Sequence, residues 1–401
     1  MNATQLNDLI IWLADGARSA VRTDLFMAET CERMVASGIP LARVGVFVRT
    51  LHPSMLGRNF IWRASGEVTL GALAHGDDEG DEFLRSPLRY VFHEGIEVRH
   101  RLIGANVSNI PFLADMLAEG STDYIALPLE MSDGNVHASS WTTRDPDGFS
   151  EEQLAGLRRV MPSLTRMIEI HLLRRTASGL LDNYVGARAG ERILAGQIRR
   201  GHTETMQAVI WLSDLRGFTA LSDRLQPENV VDILNRYFDC QVPAILEQGG
   251  EVLKFMGDGL LAVFPVAEND EDLSAVCARV LEAARTSRAA VESLRWAGTN
   301  LTEEQFRFGL ALHVGKVLYG NIGGGDRLDF TCIGPAVNLA ARLEKIAGKL
   351  ARTVVASSAF ADASEGVWTD LGEFPIAGFA RAERVYGLAD ESLPPQTWPS
   401  S

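Results

Sequence analysis

Two kinds of apolar spacing divide this chain into a mixed N-terminal part, a helical middle and a sheet-rich C-terminal part. Helical spacing dominates residues 4–36. The apolar stretch Ala42–Val48 predicts a strand, and Phe60-Ile61-Trp62 a second. Residues 82–93 have helical spacing, and strand-like runs return at Tyr124–Leu129 and Val136–Trp141. Ser132-Asp133-Gly134-Asn135 joins the last two, and Asp-Gly between such runs is a strong hairpin signal.

Ser150 and Gln153 have the form of a capping box opening a long helix, about 150–178. Leu154, Leu157, Met161, Leu164 and Ile168 then recur at steps of three and four. That stripe fits two arrangements equally: the seam of a two-helix coiled coil, or a helix lying on its own domain. Pro162 falls inside it and is expected to kink or restart the helix. Residues 179–204 are rich in glycine and arginine and read as a broken, basic connector.

Further on, Ala208–Leu212 is continuously apolar, as in a strand buried on both faces. Helical spacing follows from Val230 to Leu246 and ends at Gly249-Gly250. Glu251–Met256 and Leu260–Phe264 read as strands around Gly257-Asp258-Gly259, with Pro265 stopping the second. A helix is predicted over 270–297, and Phe306, Phe308, Leu310, Leu312 and Val314 alternate as in a half-buried strand. Val317–Ile322 and Leu328–Cys332 flank a glycine-rich hairpin, and a helix follows at 335–347. The order of elements predicts an α+β domain with a ferredoxin-like βαββαβ core. Gly323-Gly324-Gly325 lacks the Gly-Lys-Ser/Thr of a phosphate-binding Walker motif, so it reads as the hairpin turn.

Composition narrows the classes. The chain is 46% hydrophobic and 22% charged, ordinary for a globular protein. Its net charge of −14 argues against general nucleic-acid binding, though not against a nucleotide carried with metal ions. Cys31, Cys240, Cys277 and Cys332 form no CxxC pair, so small buried residues are expected rather than a zinc or disulfide framework. The longest apolar runs, such as Leu9–Leu13, fall far short of the ~20 residues that span a bilayer. No signal-peptide pattern opens the chain, so a cytoplasmic location is expected.

The chemistry concentrates in two aspartates. Asp214 sits just past the buried strand, and Asp258 sits in the turn between two later ones. The intervening helical excursion returns to the sheet, so both carboxylates can converge at its edge, a hard-oxygen site suited to Mg²⁺ or Mn²⁺. Taken singly, each is more often a solvated turn residue.

Taken together, three segments resemble the class III adenylyl and guanylyl cyclases. They are Asp214-Leu-Arg-Gly-Phe-Thr219, Lys254-Phe-Met-Gly-Asp258-Gly259, and Thr331-Cys-Ile-Gly-Pro-Ala-Val-Asn338-Leu-Ala-Ala-Arg342. The resemblance covers nearly all of residues 205–390 and keeps order and spacing. It implies two metal ions held by Asp214, Asp258 and the backbone carbonyl of Leu215. It implies that the amides of Phe218 and Thr219, after Gly217, approach phosphate oxygens, as helix starts do. Asn338 would orient the ribose, and Arg342 would stabilise charge on the α-phosphate. Lys254 and Thr331 would read the base; lysine there favours ATP, whereas guanylyl members typically carry glutamate. Many adenylyl members have aspartate in place of Thr331, and the threonine subgroup makes bicarbonate a candidate stimulant.

Two positions depart from the pattern. Lys316 stands where arginine is frequent, keeping charge but losing the fork. Ala377 stands where a lysine precedes the glycine, leaving Arg381 as a substitute for the triphosphate tail. Since the family's sites combine residues of two subunits, the resemblance implies a homodimer with shared sites.

The expected domains are then a GAF-like sensor at 1–149, a helical linker and connector at 150–204, the catalytic domain at 205–390 and a tail at 391–401. The N-terminal resemblance is one of element order, a helix-flanked sheet with a ligand pocket. It implies a small-molecule or protein regulator. Other functions open at this point are a guanylate or other nucleotide cyclase, and a non-catalytic ligand-binding scaffold.

Overall fold

The computed structural model describes residues 1–20, 22–53, 55–74, 81–105, 107, 109–267, 272–294, 307–325 and 327–391. The chain divides into two compact units, Met1–Leu180 and Leu181–Ser401.

The first unit opens with α1 (Ala3–Ala14) and α2 (Thr23–Ala36), two helices where one helical stretch was expected. Then come β1 (Arg43–Arg49), β2 (Met55–Arg63), β3 (Val68–Ala74), α3 (Asp81–Arg85), α4 (Leu88–Glu94), β4 (Val98–Arg101) and α5 (Pro111–Ala118). β5 (Asp123–Glu130) and β6 (Val136–Thr143) form the expected hairpin, and α6 (Glu151–Val185) follows. Pro87 breaks the helix expected over 82–93 into α3 and α4. The strands form a six-stranded antiparallel sheet in the order β3-β2-β1-β6-β5-β4. Both faces are covered. Val44, Val46, Ile125, Leu127 and Trp141 pack with α1, α2 and α6 on one side. Tyr124, Ala126 and Ala138 pack with α4 and α5 on the other.

The apolar stripe of α6 belongs to this core. Leu154, Leu157, Met161, Leu164 and Ile168 are all buried within their own unit, so they form no coiled-coil seam. Sheet and helix pairing inside the unit already satisfies their burial. The helix also runs on through Pro162 instead of restarting. Leu164→Ala is therefore expected to cost about 2–5 kcal/mol of stability, the range for emptying a packed site. The self-association constant should stay unchanged; urea melts and sedimentation check the two halves.

The second unit contains α7 (Ala187–Leu194), β7 (Thr203–Leu215), α8 (Phe218–Ser222), α9 (Pro227–Asp239), α10 (Val242–Glu247), β8 (Glu251–Met256) and β9 (Gly259–Val266). It continues with α11 (Leu273–Ser293), β10 (Phe308–Gly324), β11 (Arg327–Ile333), α12 (Pro335–Lys349), β12 (Val354–Ser357), α13 (Ser358–Ala361), β13 (Trp368–Phe374) and β14 (Glu383–Leu388). The sheet order is β13-β14-β12-β10-β7-β9-β8, with β11 paired to β10. Within it, β10-β7-β9-β8 is the ferredoxin-like core, its two excursions carried by α8–α10 and α11.

β7 explains its own composition. Val209 and Trp211 face the core under α9, α10 and α11, while Ala208, Ile210 and Leu212 face the one under α7 and α12. Two expected strands, ending at Val314 and starting at Val317, are one continuous strand, β10, paired with β7 from Phe308 to Gly320. Phe306 and both ends of the helix expected over 270–297 lie outside the described residues. Cys31, Cys277 and Cys332 are buried and Cys240 half-buried, all free. Among the described residues no helix is long and apolar enough to cross a membrane.

Candidate active site

β7, an interior strand, carries Asp214 near its C-terminal end, and the β8–β9 turn brings Asp258 beside it. Gly257 holds that turn at φ +69, a left-handed conformation that favours glycine. The Ser213 hydroxyl donates to Gln241 Oε1 at 2.7 Å, tying the strand end to the α9–α10 junction.

The pair is electrostatically frustrated. Burial, then Asp258 and Glu344, push the Asp214 carboxyl up to about 7; Arg216 opposes them. Too little positive charge reaches these carboxylates from the protein itself. Among the described residues no third His, Cys, Asp or Glu completes a metal-binding cluster with them. Two hard oxygen donors with excess negative charge fit a divalent cation whose remaining ligands are backbone oxygens, substrate phosphates or water.

The frustration has a pH consequence. Asp214 ionises near 3.8 in an unfolded chain and near 7 in the folded protein, so folding takes up a proton between these values. Stability of the metal-free protein therefore falls as pH rises through that window. Asp214→Asn is expected to flatten the slope. It should stabilise the metal-free protein by about 1–2 kcal/mol near pH 8, after allowing for solvent screening. Denaturant melts near pH 5 and pH 8, with a chelator present, measure this.

Arg216 and Glu344 were missed by the sequence reading. Arg216 Nη1 lies 2.7 Å from Glu344 Oε1, and Nη2 donates to the Glu344 carbonyl at 3.1 Å. Burial raises the Glu344 carboxyl's pKa and Arg216 lowers it again. This ion pair ties the segment after Asp214 to α12. It needs Gly309, where a Cβ would lie 1.8 Å from Arg216 Nη2. A buried glutamate implies a charged partner, but Glu344 is placed by the fold rather than by any local motif.

The other expected site residues sit as follows. Leu215 ends β7 with a buried side chain. Phe218 opens α8 with its ring partly packed on the core, and Thr219 beside it is exposed. Lys254 is exposed on β8 and pairs with Asp329 on β11. Asp329 and Thr331 are two apart on one strand and so share a face, which puts Thr331 on the side that Lys254 meets. Lys316 is exposed on β10, and Asn338 and Arg342 are exposed one turn apart on α12. Ala377 and Arg381 are exposed between β13 and β14. The residues thus fall into two groups with different partners: Asp214 and Asp258 with Arg216 and Glu344, and Lys254 with the Asp329–Thr331 strand.

One more arrangement had no sequence signal. The buried Glu251 accepts from the Tyr319 hydroxyl at 2.7 Å, and Arg188 and Arg192 of α7 lie over the Tyr319 ring at 5.8 and 5.2 Å. Arg192 also pairs with Glu204. These contacts fasten α7 to the start of β8, the strand that carries Lys254.

Residues 202–383 match the model of the adenylate and guanylate cyclase catalytic domain. The chain is 27% identical over 268 residues to the terminal-differentiation specific adenylate cyclase of Dictyostelium discoideum, covering 63% of this chain and 11% of that protein. It is 33% identical over 147 residues to an adenylate cyclase of Anabaena cylindrica, covering 37% of this chain and 28% of that one. The chain thus spans less than a third of the length of either relative. Among solved structures, the adenylyl cyclase CyaB from P. aeruginosa aligns at 25% identity with a TM-score of 0.40, covering 48% of this chain and 97% of that one.

Proposed function

Residues 202–383 belong to the adenylate and guanylate cyclase catalytic-domain family, and from that premise we propose that the chain converts ATP to 3′,5′-cyclic AMP and pyrophosphate. The observation that carries this is the carboxylate pair Asp214 and Asp258, whose uncompensated charge calls for a cation. The two residues, with the Leu215 carbonyl, would hold two Mg²⁺ or Mn²⁺ ions. Bound there, the ions supply positive charge that acidifies the ribose 3′-hydroxyl and balances the departing pyrophosphate.

The remaining roles belong to the chain. Lys254 donates to adenine N1 and the Thr331 hydroxyl accepts from the 6-amino group. Asn338 positions the ribose, and Arg342 balances charge on the α-phosphate oxygens. The amides of Phe218 and Thr219, with Lys316 and Arg381, serve the triphosphate. Lys316 offers a point charge rather than a forked contact, so the tail is held with less directional precision.

Two groups with separate partners favour a shared site, the metal pair coming from one subunit and Lys254, Thr331, Asn338 and Arg342 from the other. Exposed Met256, Leu318, Leu328 and Ile333 lie on β8, β10 and β11, the strands that carry Lys254, Lys316 and Thr331, apolar surface of the kind a subunit covers. In the N-terminal unit, a six-stranded sheet with helices on both faces supports the GAF-like sensor reading.

The metal requirement tests this. A chelator is expected to abolish cyclic AMP formation and added Mn²⁺ to restore it, while Asp258→Ala stays at least ~10³-fold down at any metal concentration, several kcal/mol of lost charge stabilisation. Full activity in Asp258→Ala would remove the carboxylate pair from the account.

A further inference from the structure

Arg216 follows Asp214 by two residues, yet its guanidinium is held away from the carboxylate pair. Nη2 donates to the Glu344 carbonyl at 3.1 Å, and Nη1 meets Glu344 Oε1 at 2.7 Å through charge rather than an aimed hydrogen bond. Two glycines shape the slot that takes it. A Cβ on Gly309 would lie 1.8 Å from Nη2, and one on Gly348 would lie 2.7 Å from Nη1. Gly309 is also the β10 residue paired with Asp214 of β7, so the guanidinium is parked one strand away from that carboxylate.

The arrangement sets two demands for positive charge against each other. The Glu344 side chain is 6% exposed, so its carboxylate has lost most of its water and needs a cation. Asp214 and Asp258 need one too. Arg216 opposes their charge only from a distance, while its close contacts go to Glu344. An apolar residue at position 344 would fill the space without the cost of burying a charge. What the carboxylate adds is a fixed direction for Arg216. Without it, a long and flexible arginine two residues from Asp214 would turn to the remaining carboxylates and take the place of a bound cation.

We infer that, given the metal site proposed above, Glu344 is a positioning residue for it: by holding Arg216 over Gly309 it keeps the guanidinium off Asp214 and Asp258 and leaves their charge to a divalent cation. Arg216 is then a built-in competitor of that cation, and Glu344 its holder. The charges themselves act in the same sense, since Glu344 adds negative potential at Asp214 and Arg216 subtracts it. An ion pair that merely braced α12 against the end of β7 would behave differently, because losing either partner would loosen the site alike.

The test is Mn²⁺ titration of the full chain without nucleotide, free Mn²⁺ being counted by electron paramagnetic resonance. Glu344→Gln keeps the size of the side chain and is expected to weaken Mn²⁺ binding at least ~10-fold, because Arg216 loses its partner and turns to the aspartates. Arg216→Ala is expected to bind Mn²⁺ as tightly as the parent or tighter. The double variant Arg216→Ala/Glu344→Gln should return to within ~3-fold of the parent, the rescue that separates competition from bracing. Circular dichroism spectra matching the parent's show that each variant is folded. Unchanged affinity in Glu344→Gln, weakened binding in Arg216→Ala, or a double variant as weak as Glu344→Gln would overturn the assignment. Asp258→Ala tells the two failures apart. It is expected to lose the Mn²⁺ signal; if it binds like the parent, the metal site itself falls, whereas loss there with no effect of Glu344→Gln removes only the role of Glu344.

Discussion

Asp214→Ala and Arg342→Ala are each expected to be inactive alone, and an equimolar mixture of the two, allowed to exchange subunits, to recover activity. The physical basis is the separation of the two groups of site residues. Asp214 has Asp258, Glu344 and Arg216 as its electrostatic neighbours, whereas Arg342 is exposed on α12. In a two-fold dimer a shared site takes one group from each subunit. A mixed dimer therefore contains one doubly damaged site and one intact site. Random exchange makes half the dimers mixed, so recovery should approach about a quarter of parental activity. Each single variant should lose at least ~10³-fold, the scale on which an arginine that stabilises phosphoryl charge acts. Mixed dimers that form and stay inactive would place all the residues in one subunit's site.

The second large effect concerns the base. Lys254 faces Asp329 across β8 and β11, so replacing it by glutamate alone would set two carboxylates together. Lys254→Glu combined with Asp329→Asn avoids that clash. The double variant is expected to lose ATP turnover by at least ~100-fold, because adenine N1 would meet an acceptor and remain unpaired. GTP turnover should rise, since a glutamate can accept from guanine N1 and N2. Thr331 needs no change: its hydroxyl accepts from an amino group or donates to a carbonyl by rotating. The product ratio with both nucleotides present reads this out. A double variant that still prefers ATP would mean that base choice is made elsewhere.

The legible parts of this molecule are those where the local pattern and the fold demand the same thing. Ala208–Leu212 reads as a doubly buried strand because cores under α9–α11 and under α7 and α12 cover its two faces. The turn at Gly257-Asp258-Gly259 reads clearly because a left-handed glycine leaves a mark in the sequence. Strands β3 and β4 left little mark. β4 is four residues, Val-Arg-His-Arg, at a sheet edge, and β3 is the opposite edge, so neither needs a continuous apolar face. The stripe on α6 was readable as a stripe, but its partner was not: spacing is the same whether a second chain or the helix's own sheet covers it.

The same division holds at the site. Asp214, Asp258, Asn338 and Arg342 stand out because they lie in compact motifs. Arg216–Glu344 and Glu251–Tyr319 join residues far apart in sequence, and only the assembled sheet brings them together. The second pair, with Arg188 and Arg192 over its ring, gives the connector helix α7 a physical grip on the strand carrying Lys254.

The central claim is that this chain makes cyclic AMP. The most direct measurement supplies the purified protein with Mn²⁺ and equimolar ATP and GTP and resolves the products by chromatography. The account predicts 3′,5′-cyclic AMP and pyrophosphate in equal amounts, with cyclic GMP a minor product at most. Predominant cyclic GMP, or no cyclic nucleotide from either the full chain or residues 181–401, would contradict it.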